Sequence, residues 1–254
     1  MPPKSFNLNI NNKIFSYRKN IEVDSDKSIS IRSFLIGSIC HNISSVKNVL
    51  ESDDVLSAIK CLKNLGVKIT KQGPKNYLIY GKGLGSLFAK KNTQLNFGNS
   101  GTLARLLIGI LSTTPNIEIN VKGDHSLNKR NMRELVKLMS LFGASFKPKD
   151  TYKFPLKIIS SSIPISINYN AGVSAQLKSA VILAGLNSYG NTKILETRKS
   201  RDHTENMLLN NNNLIKITNN KFTKTIIVKG KKNLKPININ VPGDPSSAAF
   251  YTAL

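Results

Sequence analysis

The chain has 254 residues, 40% of them hydrophobic, and a formal net charge of +23. That length supports one large domain or two modest ones, and that apolar content excludes a largely disordered chain. The start MPPKSFNLNI lacks the apolar core of a secretory signal, no apolar run reaches a membrane span, and two cysteines make no disulfide scaffold or metal-ligand pattern, so a cytoplasmic location is expected.

The first 20 residues read as a short hairpin, Phe6–Ile10 and Ile14–Tyr17 around Asn11-Asn12. DKSISIRSFLIGSI, from Asp26, follows as a helix. Ser52-Asp53-Asp54 opens another, with Val55, Leu56, Ile59 and Leu62 as its apolar stripe, Cys61 on the same core side, and Gly66 as a left-handed stop. Tyr77–Tyr80 alternates like a strand. GNSGTLARLLIGIL, from Gly98, begins a third helix, and Ile117–Val121 a further strand. Met132, Leu135, Val136, Met139 and Phe142 then form an apolar stripe ended by Gly143-Ala144. Ile163–Ile167 alternates like a strand. AGVSAQLKSAVILAGL, from Ala171, is an almost wholly apolar helix. Lys193–Leu195, a weak helix from Asp202 to Leu209, and Thr225–Val228 complete this stretch. PGDPSSAAFYTAL, from Pro242, starts one more helix, cut after about two turns, which suggests a fragment of a longer chain.

Four of these segments share one design: small or polar residues, then an apolar helix. Taking Ser28, Thr102, Ser174 and Ser246 as markers, the gaps are 74, 72 and 72 residues. Gly66 and Gly143 repeat at a similar distance. The chain therefore reads as three strand–helix–strand–helix–strand units between about residues 21 and 240, with a fourth beginning at Pro242.

The chemistry collects at the helix starts. Gly98–Leu111 has no GK[ST] and no three-glycine dinucleotide fingerprint, so it is neither a P-loop nor a Rossmann turn. Free backbone N–H groups at Gly101 and Thr102 can still hold an anion, with Asn99 or Ser100 as the cap. Lys27, Ser28 and Arg32 open the first helix. Lys27 is placed to bind phosphate or relay a proton, and Ser28 to cap or to ligate. Ser174 and Gln176 precede a buried helix, where unpaired polar groups are costly, and this favours a ligand role for both. Lys129 and Arg130 stand just before a helix. Arg201 and His203 flank Asp202, which is expected to act in a local cap network. If these starts converge, they form a cationic cleft for a substrate bearing phosphate and carboxylate groups. A scattered, lysine-rich surface accounts for the rest of the charge.

DKSISIR, GNSGTLAR, GDHSLNKR, SAQLKSAVILAGL, RDHTENML and VPGDPSSAAF, in this order and spacing, resemble the 5-enolpyruvylshikimate-3-phosphate synthase family of enolpyruvyl transferases, N-terminal portion only. The resemblance implies an α/β fold of repeated βαβαββ-type units around buried parallel helices, the inside-out α/β barrel of that family. Residues 21–240 would be one complete three-unit domain. Residues 1–20 and 241–254 would belong to a second, truncated one. It implies transfer of the enolpyruvyl group of phosphoenolpyruvate to the 5-hydroxyl of shikimate 3-phosphate, with no cofactor and no metal. The full-length protein would be a monomer that uses neither nucleic acid nor membrane.

By the same resemblance, Lys27 contacts phosphoenolpyruvate and takes part in proton transfer, while Ser28 and Arg32 bind shikimate 3-phosphate. Asn99, Gly101 and Thr102 wall the phosphoenolpyruvate pocket, and Arg130 binds its phosphate. Ser174, Ala175 and Gln176 hold shikimate 3-phosphate, Arg201 belongs to its phosphate region, and Arg105 supports the loop. Gly101 matches the glycine of glyphosate-sensitive members, which implies inhibition competitive with phosphoenolpyruvate. Two positions depart from the family pattern. Ile31 replaces the frequent His or Asn, and Asn131 replaces the usual Pro, which is expected to loosen the helix start that follows. The family's catalytic Asp and Glu would lie beyond Leu254, and Asp244 is not that Asp. Two other readings are UDP-N-acetylglucosamine enolpyruvyl transferase, against which SAQLKSA and DKSISIR argue, and a basic nucleic-acid-binding module, which would need basic–aromatic interleaving that is not seen.

Overall fold

A computed structural model describes residues 20–90, 92–209 and 211–252. The expected hairpin over residues 1–20 lies outside the described residues, apart from Asn20.

Three helices are buried on nearly every side: α1 (Lys27–Ile39), α3 (Gly101–Thr113) and α6 (Ala175–Leu186). A helix apolar all round belongs in a core, and these sequences are of that kind. Each has a side-chain cap. Asp26 Oδ1 accepts from Ile29 N–H at 2.8 Å, Ser100 Oγ from Leu103 N–H at 3.2 Å, and Ser174 Oγ from Leu177 N–H at 3.3 Å. The buried serines of α1 are satisfied internally, Ser30 donating to Asp26 O and Ser33 to Ile29 O. α3 and α6 approach closely because residue 109 is glycine. A Cβ there would lie 2.6 Å from the carbonyl oxygen of Ala180, a backbone atom that cannot swing aside.

Around these helices stand three four-stranded sheets of one design. In the second, β4 (Gln94–Asn96) pairs parallel with β5 (Glu118–Lys122), which pairs antiparallel with β7 (Leu156–Ile159), with β6 (Ser145–Lys147) at the edge. The third repeats this order with β8 (Asn168–Ala171), β9 (Asn191–Glu196), β11 (Lys224–Lys229) and β10 (Ile215–Asn219). In the first, β1 (Ile43–Lys47), β3 (Asn76–Tyr80) and β2 (Lys68–Gly73) take the equivalent places. The leading parallel strand comes from far along the chain: β12 (Asn238–Asn240) pairs with β1, Ser45 opposite Asn238. The last unit thus hands a strand back to the first and closes the ring of three.

Amphipathic helices α2 (Asp53–Asn64), α5 (Arg133–Leu141) and α7 (His203–Leu208) occupy the second helical position of each unit, and a short α4 (His125–Lys129) precedes α5. Gly66 and Gly143, just past α2 and α5, have φ of 84° and 95°, as their repeat suggests. α8 (Pro245–Thr252) carries the fourth marker, Ser246, but buries none of its residues.

Two local expectations need correction. Ile163–Ile167 is not a strand. Pro164 has no N–H to give a ladder, only an isolated bridge joins Ile165 to Tyr189, and the strand starts at Asn168. Leu56 is 47% exposed and lies off the buried stripe of α2, which runs through Val55, Ala58, Ile59, Cys61 and Leu62. At the entry to α5, Asn131 Oδ1 accepts from Arg133 N–H at 2.8 Å, while the N-cap residue Met132 makes no side-chain cap bond.

Candidate active site

The N-terminal ends of α1, α3 and α6 meet. Between them lies a pocket of about 280 Å³ lined by Lys27, Asp54, Asn99, Gly101, Thr102, Arg130 and Gln176. Five separate stretches of sequence reach it, joined by side-chain contacts into two groups. Arg130 Nη2 donates to Asn99 Oδ1 at 2.8 Å. Gln176 Nε2 donates to Thr102 Oγ1 at 2.9 Å, and its Oε1 accepts from Arg105 Nη1 at 2.9 Å. Arg105 Nη1 also donates to Gly101 O at 3.2 Å. Lys27 Nζ stands 3.1 Å from Asp54 Oδ2.

The electrostatics of this pocket are one-sided. Burial lowers the pKa of the Arg105 guanidinium, and Arg130 beside it lowers it further. Among the described residues neither arginine forms an ion pair with a carboxylate. Two guanidiniums without counter-ions, next to the free N–H groups of a helix start, make an anion site. Gly101 lets both draw up to the backbone. A Cβ there would sit 2.9 Å from Nη1 of Arg105 and 2.9 Å from Nη1 of Arg130. Gly101→Ala is therefore expected to push both cations outward and cost about tenfold in anion affinity, within the range for disturbed charge-assisted bonds. Helix stability should hold or rise slightly, since Gly101 has no positive φ and alanine narrows the freedom of the unfolded chain. Titration with phosphoenolpyruvate and a thermal melt check this, and unchanged anion affinity would contradict it.

Ser28, Arg32, Ser174, Ala175 and Arg201 do not line that pocket. Arg32, 3% exposed, lies where α1 meets α6 and α7. Its Nε donates to Thr204 Oγ1 at 2.8 Å, its Nη2 to Ser179 Oγ at 3.1 Å and its Nη1 to Ser28 O at 3.1 Å. Burial lowers its pKa to about 10, against the pull of Glu205 and Asp26 and with a push from nearby Arg201. Arg32 therefore stays charged at neutral pH, and with exposed Arg201 it forms a second basic locus. Ser28 is not the cap of α1, a place taken by Asp26, and Asn99 leaves the cap of α3 to Ser100. Ser174 and Gln176 were expected to need a ligand for their polar groups. Instead the protein satisfies them, Ser174 as a cap and Gln176 through Thr102 and Arg105.

Asp202 makes no side-chain cap bond to α7 and instead accepts from Asn206 Nδ2 at 3.0 Å. His203 Nδ1 is buried without a hydrogen-bond partner, so the two do not form a His–Asp pair. Burial lowers the pKa of His203, Arg32 adds to this and Asp26 opposes it. The folded protein then binds that proton less well than the unfolded chain. The stability involved is complete above the unfolded value near 6.5 and is lost as pH falls through it. The urea midpoint should fall between pH 7 and pH 5, and fall less in His203→Leu. Parallel pH slopes for the two proteins would assign the effect to another group.

Sequence reasoning missed Asp54 as a pocket residue, having read it only as an acid suited to the helix dipole. It also missed a buried cluster in which Lys178 Nζ lies 2.8 Å from Glu196 Oε1 and 2.7 Å from Glu205 Oε1. A signal was present: a lysine inside a wholly apolar helix must be paired. Larger cavities occur at the outer face of α5, about 840 Å³, and beneath the β10–β11 hairpin, about 980 Å³. Neither is lined by a residue that the resemblance assigns to substrate.

Three repeated α/β units around buried helices, with helix starts meeting at an anion pocket, define the enolpyruvyl transferase fold. The profile of "EPSP synthase (3-phosphoshikimate 1-carboxyvinyltransferase)" matches residues 12–254. The chain is 38% identical over 229 residues to the 3-phosphoshikimate 1-carboxyvinyltransferase of Ruegeria sp. strain TM1040, covering 90% of this chain and 50% of that protein. It is 40% identical over 247 residues to that of Vesicomyosocius okutanii, covering 97% and 54%. The solved EPSP synthase of Acinetobacter baumannii superposes with a TM-score of 0.81 at 35% identity, over 91% of this chain and 51% of that one. The chain belongs to the EPSP synthase family, and it spans about half the length of the curated relatives it matches.

Proposed function

We propose that the chain supplies one wall of the active-site cleft of an enzyme that transfers the enolpyruvyl group of phosphoenolpyruvate to the 5-hydroxyl of shikimate 3-phosphate, releasing phosphate. The observation that carries this is the pair of guanidiniums, Arg105 and Arg130, flanking Gly101 with no carboxylate partner among the described residues. Arg130 and the N–H groups of Gly101 and Thr102 would hold the phosphate or carboxylate of phosphoenolpyruvate. Asn99 and Gln176 fix their geometry. Lys27, shared between the pocket and Asp54, is placed to hand over or take up a proton. Arg32, Ser28, Ser174, Ala175 and Arg201 would hold shikimate 3-phosphate beside it. The hydroxyl adds to carbon 2, giving up its proton, as carbon 3 is protonated; the tetrahedral adduct then loses phosphate from carbon 2 and one proton from carbon 3, which restores the double bond. Fixed cations stabilise the charge that builds on the leaving phosphate.

Residues 21–240 form the three-unit domain on this reading, supported by β12 closing the sheet of β1. Residues 1–20 and 241–254 would belong to a second domain, in keeping with an α8 that buries nothing. The enzyme would be a cytoplasmic monomer that does not engage nucleic acid. Buried free thiols at Cys40 and Cys61 suit a reducing compartment, and no helix among the described residues is long and apolar enough to cross a membrane.

Among the described residues lining the pocket, the one carboxylate is Asp54, already paired with Lys27. The 254-residue chain alone is therefore expected to bind weakly and turn over negligibly. Phosphate release from both substrates, with shikimate 3-phosphate or UDP-N-acetylglucosamine as acceptor, tests this. Clear turnover by the isolated chain would overturn the division of labour, and binding of the nucleotide sugar alone would overturn the choice of acceptor.

A further inference from the structure

Lys178 is fully buried in α6, one turn beyond Ser174, whose carbonyl accepts its N–H at 3.1 Å. Its ammonium joins two carboxylates from different elements: Glu196, the last residue of β9, and Glu205 in α7. Strand alternation explains the first, since Thr192, Ile194 and Glu196 share the inward face of β9. Among the described residues Glu205 Oε2 is buried with no hydrogen-bond partner, and Lys224 approaches Oε1 only to 3.7 Å. Two carboxylates against one lysine leave a negative balance in the core. The adjacent Arg32 offsets it, held by Thr204 and Ser179, the neighbours in sequence of Glu205 and Lys178. Thr204 Oγ1 also donates to Ser179 Oγ at 2.8 Å, closing the ring.

Glu196 has one further task. Its Oε1, the same atom that meets Lys178, accepts from both the N–H of Ser200, at 3.0 Å, and its hydroxyl, at 2.7 Å. Residues 197–201 lie between β9 and α7, and Thr197, Arg198, Lys199 and Arg201 are exposed. Among the described residues these two bonds are the side-chain hydrogen bonds that hold this loop. The loop has little apolar packing of its own, so its position is set by the charge beneath it.

We propose that Lys178, Glu196 and Glu205 form a positioning triad, which registers the Ser200–Arg201 loop and Arg32 against the first turn of α6 so that both arginines face the acceptor. None of the three touches the acceptor; they act through Ser200, Thr204 and Ser179. The consequence for binding rests on the shikimate 3-phosphate reading given above, but the registration itself does not.

The test compares Glu196→Leu, which removes the acceptor oxygen, with Glu196→Gln, which keeps an oxygen for Ser200, in the 254-residue chain. Amide hydrogen exchange at Ser200 should quicken about tenfold or more in Glu196→Leu and return to within about threefold in Glu196→Gln, with Gly101 and Thr102 unaffected. The Kd for shikimate 3-phosphate should rise about tenfold in the leucine variant and recover in the glutamine variant, while phosphoenolpyruvate binding holds. A merely structural role would lower the melting temperature and leave the exchange pattern and this ligand split unchanged. Unchanged Ser200 protection in Glu196→Leu overturns the triad's role whatever binds the site. Altered protection without any acceptor binding by the parent chain supports the triad and removes the acceptor reading alone. If the leucine variant does not fold, Ser200→Ala, which cuts one tether and leaves the triad intact, should show faster exchange of the residue 200 amide, whose bond to Glu196 Oε1 then stands alone; no change there overturns the proposal.

Discussion

Arg130→Ala is expected to weaken phosphoenolpyruvate binding by about 10- to 100-fold, the worth of one to two charge-assisted hydrogen bonds. The arginine brings a planar fork to the pocket, already oriented by Asn99, and the carboxylate lining it, Asp54, is paired with Lys27 instead. Removal takes away the charge and also frees Asn99 from its partner. Arg130→Lys should recover only part of the loss, because an ammonium is a point charge and cannot match two anion oxygens at once. Affinity for shikimate 3-phosphate should hold, since the second basic locus around Arg32 does not include this residue. Calorimetric titration with each ligand separates the two sites. Equal losses for both would mean that they are not distinct, and no loss for phosphoenolpyruvate would place its anion elsewhere.

Lys178→Met carries the largest expected effect on stability, a loss of about 3–5 kcal/mol at neutral pH, typical of breaking a buried ion pair by removing one partner. Methionine fits the space but leaves Glu196 and Glu205, 3% and 0% exposed, facing each other without their lysine. In the parent protein burial alone would raise the pKa of Glu196, but the bonds from Lys178 and Ser200 outweigh it and hold it below the usual range. The stability it contributes is therefore present above the unfolded carboxylate pKa and lost as pH falls through the lower, folded one. In the variant the sign reverses. Unpaired buried carboxylates resist ionisation, so the deficit should shrink on mild acidification as they take up protons. Urea denaturation at pH 7 and pH 5 measures both halves, and a deficit that grows toward acid would contradict the ion-pair account.

Much of this architecture was legible because it is repeated. The spacing of Ser28, Thr102 and Ser174 marks three helix starts, and all three carry a polar residue that caps or lines the site. Apolar helices without a polar face announced their burial, but the assignment of the residues at their starts to one cleft came from the family resemblance. Long-range pairing was not legible. β12 joins β1 across nearly the whole chain, and nothing local distinguishes Asn238–Asn240 from a loop. Ile163–Ile167 has strand alternation but carries a proline that cannot extend the ladder. Caps were not settled where several candidates stood side by side: Asp26 rather than Ser28 caps α1, and of Asn99 and Ser100 it is Ser100 that caps α3. Asn99, relieved of the cap, lines the pocket and holds Arg130. Lys178 needed its partners in view, since Glu196 and Glu205 come from different elements and only folding brings them to one ammonium.

The central claim is that helix starts distant in sequence make one anion-binding wall. Backbone amide chemical-shift mapping of the 254-residue chain, titrated with shikimate 3-phosphate and then phosphoenolpyruvate, tests it directly. The account predicts that the first ligand shifts Ser28, Ala175, Gln176 and Arg201, and that the second then shifts Asn99, Gly101, Thr102 and Arg130. Shifts confined to the groove beside α5 around Tyr152, or none at saturating ligand, would contradict it.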